Sequence, residues 1–313
     1  MKNSRIFLAV DRCFTKKPAL EQLVGLTEIM ANDANVIVKS RLYNTVNSKN
    51  RYLAAHTGRT DIIVGLTVPF VWMSLGWHDI RQRYRRSVIG PWWFTLTTCL
   101  FVGVLGTIYS FILEQDLETY LPYLAAGFVT WQYISIGLNE GCTAFIDSAH
   151  LLKQIRLPMT IHVARIAWRN LFIFLHNIPV AFAVLFYMGG FPGLSFILFP
   201  LGLFILFLNS IWISIVLGIL CSRFRDIPPI VTNLVQTGFF ITPVMWLPDI
   251  LDDKIWIAEI NPFYHLIEII RAPIIDRPIE LLSWLVSIGL LVVGFALAQW
   301  LMIKFRDRIT YWL

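Results

Sequence analysis

Long apolar stretches alternate with short polar segments over most of this chain. A helix needs about 20 apolar residues to cross the hydrocarbon core of a bilayer. Segments of about this length lie at about 92–113, 121–142, 166–188, 194–220, 229–248 and 282–303. The pattern therefore predicts an all-α polytopic membrane protein with six transmembrane helices in a domain spanning residues 90–313.

The chain before the first span divides into two parts. Residues 1–60 are polar and mixed in charge, and we expect a cytoplasmic extension whose role the sequence does not reveal. The apolar run 62–77 is only sixteen residues long and contains Gly and Pro. An amphipathic interface helix over 61–89 is therefore favoured over a seventh span, with a short membrane hairpin as the alternative.

Basic and aromatic residues mark the entry to the first span. Arg81, Arg83, Arg85 and Arg86 directly precede Gly90-Pro91 and the tryptophans that open the span. Arginine is enriched on the cytoplasmic side of membrane helices, and tryptophan at their interfaces. We interpret this elbow as a cytoplasmic anchor.

The distribution of charge predicts the orientation. With a cytoplasmic N-terminus, the loops after the first, third and fifth spans face outward and hold ten acidic residues. They contain only three of the 26 Lys and Arg residues, namely Lys254, Arg271 and Arg277. Because cytoplasmic loops carry the excess of Lys and Arg, both termini are predicted to be cytoplasmic.

Composition excludes several classes of protein. The chain is 57% hydrophobic and only 15% charged, whereas soluble domains have about 25% charged residues. The formal charge of +6 comes from basic residues beside apolar segments, so anionic lipid is a better partner than nucleic acid. The four cysteines form no CxxC pair, and no spacing indicates a metal site.

The loop after the second span contains a short amphipathic pattern at about 147–158. Leu151, Leu152 and Ile155 are apolar anchors near helical spacing, while Lys153 and Arg156 point elsewhere. Such a helix suits docking into a groove of another protein. A helix that lies on the lipid surface without a partner is the alternative.

The segment before the last span is too apolar to be a free loop. We predict two short re-entrant or interfacial helices, over 255–260 and 263–272, with breaks at Pro262 and Pro273. Glu268 and Arg271 are three apart and could pair, although an exposed pair contributes little. His176 lies deep in the third span, and a hydrogen-bonded structural role is favoured for it.

Five segments, in order, resemble the ABC-2 type permeases of bacterial polysaccharide export. The similarity covers about residues 62–313. The segments are Arg83–Trp92; Leu121-Pro-Tyr with Gly127 and Trp131; Leu152-Lys with Leu157-Pro158; Arg223-Phe-Arg-Asp226 followed by Thr242-Pro-Val244; and Asn261-Pro-Phe with Arg271.

The resemblance implies a homodimeric permease in the bacterial inner membrane, driven by two copies of a separate cytoplasmic ATPase. The chain has no GxxxxGK[ST] phosphate loop, so no cofactor is expected on it, and ATP and Mg would bind the partner. The helix at 147–158 would be the coupling helix, and the helices at about 255–272 a periplasmic gate. The implied coupling residues are Asp147, Leu151, Leu152, Lys153, Ile155, Arg156 and Pro158, and the implied cytoplasmic loop residues are Arg223, Arg225 and Asp226.

A sliding polysaccharide needs flat apolar contacts for its CH faces, and aromatic rings provide them. A subset of the aromatic residues in the first, second and fifth spans is therefore predicted to line a channel, although aromatic residues also anchor membrane helices at interfaces. The candidates are Trp92, Trp93, Phe101, Tyr109, Phe128, Trp131, Tyr133, Phe239 and Phe240.

The expected function is export of a lipid-linked polysaccharide of O-antigen, capsule or teichoic acid type. Alternatives are an ABC-2 exporter of a smaller lipid or drug, and a membrane-embedded glycosyl- or acyltransferase. An enzyme would need convergent carboxylates or a His/Asp pair at a membrane face, and no such set is evident. The sequence does not identify the sugar, the lipid carrier or a recognised terminal cap.

Overall fold

The computed structural model describes residues 58–85, 90, 92–154 and 157–313. The predicted extension 1–60, except for its last three residues, lies outside this description, as do Arg86, Ile155 and Arg156. All regular secondary structure in the described part is helical, which confirms that the fold is all-α. In these residues, four helices are long and apolar enough to cross a membrane: Trp92–Ile112, Met159–Tyr187, Leu194–Arg223 and Leu281–Trp312.

We label the helices in chain order. They are α1 (Asp61–Leu66), α2 (Pro69–Tyr84), α3 (Trp92–Ile112), α4 (Leu117–Asp147), α5 (Ala149–Gln154), α6 (Met159–Tyr187), α7 (Phe199–Arg223), α8 (Ile227–Ile241), α9 (Trp256–Glu259), α10 (Pro262–Ile274) and α11 (Leu281–Trp312). Short 3-10 turns cover Leu194–Leu198 and Pro248–Lys254.

The predicted elbow helix over 61–89 is two helices in the structure. Pro69 occupies the first turn of α2, where its missing N–H costs nothing. The chain breaks at Thr67 and Val68, because a residue before proline is disfavoured in helical geometry. The elbow therefore has a short first arm, α1, that can take a different direction from α2.

Two of the six predicted spans fall outside the four helices that are long and apolar enough to cross a membrane. The span at 121–142 belongs to α4, whose 31 residues extend about 46 Å. The span at 229–248 coincides with α8, whose 15 residues extend only about 22 Å, less than the roughly 30 Å of a hydrocarbon core. The number of crossings in this part of the chain stays a prediction.

The core centres on α4, which packs against α3, α6, α7, α8 and α10. Small residues allow the closest approach, since a side-chain carbon at Gly141 would lie 2.8 Å from the Ser214 hydroxyl and 3.0 Å from the Ser214 Cα of α7. A second apolar cluster joins α6, α7 and α11 around Ile211, Ile215 and Met302. This frame leaves one side of α8 and α3 uncovered.

The two predicted gate helices correspond to α9 and α10, with shifted boundaries. Asn261 caps α10 by accepting a hydrogen bond from the Phe263 N–H at 3.0 Å, and Pro262 fills the first position. Pro273 was expected to break the segment, but it lies inside α10, one residue before the helix ends. The predicted break at Pro262 falls just before it, at Ile260 and Asn261, and Pro262 begins α10.

Candidate functional site

An aromatic groove of about 360 Å³ runs between α3, α4 and α8. Its rings come from three helices that are distant in sequence, and polar Gln132, Ser135 and Gln236 lie among them. The aromatic groove is lined by Phe94, Phe101, Phe128, Trp131, Phe239 and Phe240, together with Ile136 and Val235. Five of these six aromatic residues are predicted channel residues, and the sixth is Phe94.

Phe239 is the centre of the ring contacts in the aromatic groove. Phe101 and Phe128 stack on each other with centroids 3.9 Å apart and planes 6° from parallel. The Phe239 ring meets both edge-on at 6.3 and 6.1 Å, and its centroid lies 5.9 Å from that of Trp131 and 5.4 Å from that of Phe240. Such edge-to-face pairs contribute about 0.5–1.5 kcal/mol each beyond burial.

A glycine allows α8 to approach Trp131. A side-chain carbon at Gly238 would lie 3.3 Å from the Trp131 ring. The other side of the Trp131 ring contacts Phe263 of α10, with centroids 5.8 Å apart. Trp131 therefore links the groove wall to the predicted gate helix.

Polar side chains border the aromatic groove on two sides. Gln132 accepts hydrogen bonds from Thr98 at 3.2 Å and from Asn177 at 3.4 Å, which joins α3, α4 and α6. On α8, Asn233, Gln236 and Thr237 are exposed. Exposed amides in an otherwise apolar helix favour contact with water rather than lipid.

The structure does not bring the remaining four aromatic candidates to this groove. Tyr133 is buried on another side of α4, where its hydroxyl lies 3.0 Å from the Ser210 hydroxyl and its ring packs on Phe174. Tyr109 packs in the cluster around Tyr120 and Tyr123, further along the helix. Trp92 and Trp93 are exposed at the start of α3, as expected for interfacial anchors.

A buried cation fixes α10 to α4. Arg271 is fully buried and pairs with Glu268, with nitrogen–oxygen distances of 2.9 and 2.5 Å. Its guanidinium also donates to the Pro243 carbonyl at 2.8 Å and lies 3.7 Å from the centroid of the Tyr123 ring. The exposed, weak pair expected from the sequence was the wrong interpretation, since both partners are enclosed. Gly127 provides the space, because a side-chain carbon there would lie 3.1 Å from the guanidinium.

Tyrosine hydroxyls of α4 bind the chain that follows α8. Tyr120 donates to the Met245 carbonyl at 2.5 Å, and Tyr123 donates to the Pro243 carbonyl at 3.0 Å. These bonds satisfy carbonyls that have left the helical pattern after Ile241, as buried backbone requires. Together with Arg271, they hold the turn between α8 and α9 at a defined place above the aromatic groove.

An ionic network joins α2, α4 and α6 beneath the groove. The Asp79 carboxylate binds Arg165 at 2.5 and 2.6 Å and Arg169 at 3.2 Å. The Glu140 carboxylate binds the same Arg169 at 2.7 Å and Arg83 at 2.9 Å. Burial alone would lower the pKa of Arg83, but the hydrogen bond and the charge of Glu140 raise it above its ordinary value. Arg83, predicted as a membrane anchor, is therefore also a structural tie. No pattern in the sequence indicates its partner Glu140, which is 57 residues away.

Five of the seven predicted coupling residues belong to the described part of the chain, and they lie on and around α5. Leu151 and Leu152 are half-buried, and Leu152 packs against the cluster of α6, α7 and α11, while Asp147 and Lys153 are exposed. Pro158 immediately precedes α6. A short helix with an outward charged face is consistent with the amphipathic pattern, although it covers only part of 147–158.

The loop between α7 and α8 presents Arg223, Arg225 and Asp226, all exposed. The Arg223 guanidinium lies 5.4 Å from the centroid of the Trp312 ring, a cation–π contact that holds the end of α7 to the end of α11. No group of three or more metal-ligating side chains occurs within the residues that the structure describes.

Comparison with known proteins identifies a family and several relatives. Residues 71–275 match the family described as ABC-2 type transporter. The O-antigen export system permease protein RfbA of Klebsiella pneumoniae is 26% identical over 239 residues, covering 73% of this chain and 91% of that protein. The protein of the same name from Myxococcus xanthus is 26% identical over 182 residues, 58% of this chain and 70% of that protein.

Proposed function

Because this chain belongs to the ABC-2 type transporter family, we propose that it exports a lipid-linked polysaccharide from the cytoplasm to the periplasm. Members of this family are membrane subunits of transporters, so the chain is not an enzyme. The cargo class, of O-antigen, capsule or teichoic acid type, is supported by relatives that are named as O-antigen export permeases.

The observation that carries the proposal is the aromatic groove with its polar border. Sugar rings have apolar CH faces and hydroxyl edges. Stacked and edge-on rings such as Phe101, Phe128 and Phe239 offer flat contacts that do not fix one register. Gln132 and Gln236 can exchange hydrogen bonds with passing hydroxyls. A polymer can therefore slide along this wall without a deep energy minimum.

The channel is proposed to form between two copies of this chain. The aromatic groove is open on one side, and α8 has only Val235 buried. A second copy related by a two-fold axis would close the groove and place Asn233 and Thr237 toward the lumen rather than the lipid. In this arrangement α9 and α10 form the periplasmic gate, held by Arg271.

The energy is proposed to come from two copies of a separate ATPase, which would also bind ATP and Mg. The side chains of α5 that are not packed on the core, including Lys153, are available to the partner's groove. Both termini are proposed to be cytoplasmic, because α2, α7 and α11 carry basic residues near their ends, whereas the chain after α3 carries Glu114, Asp116 and Glu118.

The decisive experiment combines purification with transport. The tagged chain is extracted gently and tested for co-purification of a nucleotide-binding subunit, and the complex is then reconstituted in liposomes with lipid-linked polysaccharide. We expect ATP-dependent protection of the polymer inside those liposomes in which the ATPase faces outward. A chain that brings down no ATPase, or a complex that hydrolyses ATP without moving any polysaccharide, would refute the proposal. Transport of a small lipid or drug instead would favour the other exporter class.

A further inference from the structure

The carboxylate of Asp61 is fully buried where three helices meet. Asp61 is the first residue of α1. Its oxygens accept hydrogen bonds from the backbone N–H groups of Met159 at 3.1 Å and Thr160 at 3.0 Å, and from the Thr160 hydroxyl at 2.9 Å. Arg306 of α11 donates to it at 2.8 Å. Four donors use the whole accepting capacity of a carboxylate.

These bonds replace a local cap for α6. The residue before α6 is Pro158, which makes no side-chain cap hydrogen bond. The free N–H groups of a helix N-terminus need acceptors, and a negative charge is favourable there. Asp61, located 98 residues earlier in the chain than Met159, provides both. The first turn of α6 is therefore held by another helix.

The contacts of α1 restrict its movement relative to α6 and α11. A side-chain carbon at Gly65 would lie 2.6 Å from the Thr160 Cβ, so α1 and α6 are in direct contact. On the other side, Gln299 of α11 donates to the carbonyls of Gly58 at 2.9 Å and Arg59 at 3.2 Å. The segment around α1 thus links the start of α6 to α11.

We propose that Asp61 is a positioning residue that couples movement of α5 to α11. This inference rests on the proposed function, in which α5 contacts the ATPase. Because only a few residues separate α5 from α6, a displacement of α5 moves the first turn of α6. Asp61 and Arg306 make α11 follow, whereas without the carboxylate the start of α6 moves alone.

The test measures coupling rather than activity alone. The complex of chain and ATPase is reconstituted in liposomes, and the ratio of polysaccharide exported to ATP hydrolysed is determined. For Asp61→Ala we expect ATP hydrolysis close to wild type and a ratio lowered about tenfold, within the range for residues that couple two sites. Asp61→Asn, which keeps an acceptor but loses the charge, should give an intermediate ratio.

Asp307→Asn is the matched control. Asp307 also contacts Arg306, at 3.6 Å, but its side chain is 95% exposed, so this variant should keep the wild-type ratio. If Asp61→Ala does not assemble, Thr160→Val and Arg306→Gln remove one bond each and decide the question.

A wild-type ratio in every assembled variant of Asp61, Thr160 and Arg306 would overturn the inference. A reduced ratio with normal ATP hydrolysis supports it, because a merely structural role would lower both together. If the wild-type complex itself exports no polysaccharide, the proposed function fails instead, so the two failures are distinguishable.

Discussion

Removal of Glu268 should strongly destabilise the protein. In Glu268→Ala, the guanidinium of Arg271 stays fully buried without its counter-charge. Breaking a buried ion pair by removing one partner costs about 3–5 kcal/mol. We expect the lower end, about 3 kcal/mol, because Arg271 keeps the Pro243 carbonyl and the Tyr123 ring. For a domain of this size, each kcal/mol lowers Tm by about 2–4 °C, which gives a decrease of about 6–12 °C.

The thermal unfolding of these variants can be followed through the buried thiols of Cys142 and Cys221. A maleimide dye that fluoresces on reaction reports their exposure during heating of the detergent-solubilised protein. Glu268→Met/Arg271→Met, which removes both charges, should be more stable than either single variant. Asp249→Asn is the control, since its pair with Arg277 spans 3.6 Å and the carboxylate is 71% exposed, and it should cost at most about 1 kcal/mol. Equal Tm values for Glu268→Ala and Asp249→Asn would refute the reasoning.

Three further predictions concern the aromatic groove, the helix packing and the ionic network. Phe240→Ala should leave Tm unchanged, because the ring is 66% exposed, but should lower export several-fold in liposomes; full export would remove it from the proposed channel. Gly141→Ala should destabilise by about 1–3 kcal/mol through overpacking, while Gly137→Ala, which meets open space, should be neutral or stabilising; dye-monitored Tm values in the reverse order would contradict the packing. Asp79→Asn should weaken the ion pairs to Arg165 and Arg169 and cost about 1–3 kcal/mol, whereas an unchanged Tm would show that the network contributes little.

Local features of the sequence predicted where the helices lie better than they predicted which residues contact each other. The Asn261-Pro262 pair marks the start of α10, because an asparagine accepts from the first turn and proline fits the first position. The aromatic residues of α3, α4 and α8 were also recognised as candidates for one wall. The structure then separated Tyr133 and Tyr109 from it, since the face of the helix on which a ring lies depends on packing.

The interpretation of charged residues depended most on the fold. Glu268 and Arg271 were placed correctly as neighbours on one helix, but their environment was wrong, because burial comes from α4 and from the turn after α8. The sequence predicts no role for Asp61 or Asp79. Their partners are 98 and 86 residues away, respectively, and no local pattern encodes such a distance.

The sequence by itself determined the class of the protein, because hydrophobic length and the placement of Lys and Arg are set by the bilayer and not by neighbouring helices. Only the tertiary structure decided which side chains act together. It gathered Phe101, Phe128 and Phe239 into one groove and enclosed Arg271. It also turned Asp61 into the cap of a distant helix, because these arrangements arise where helices cross.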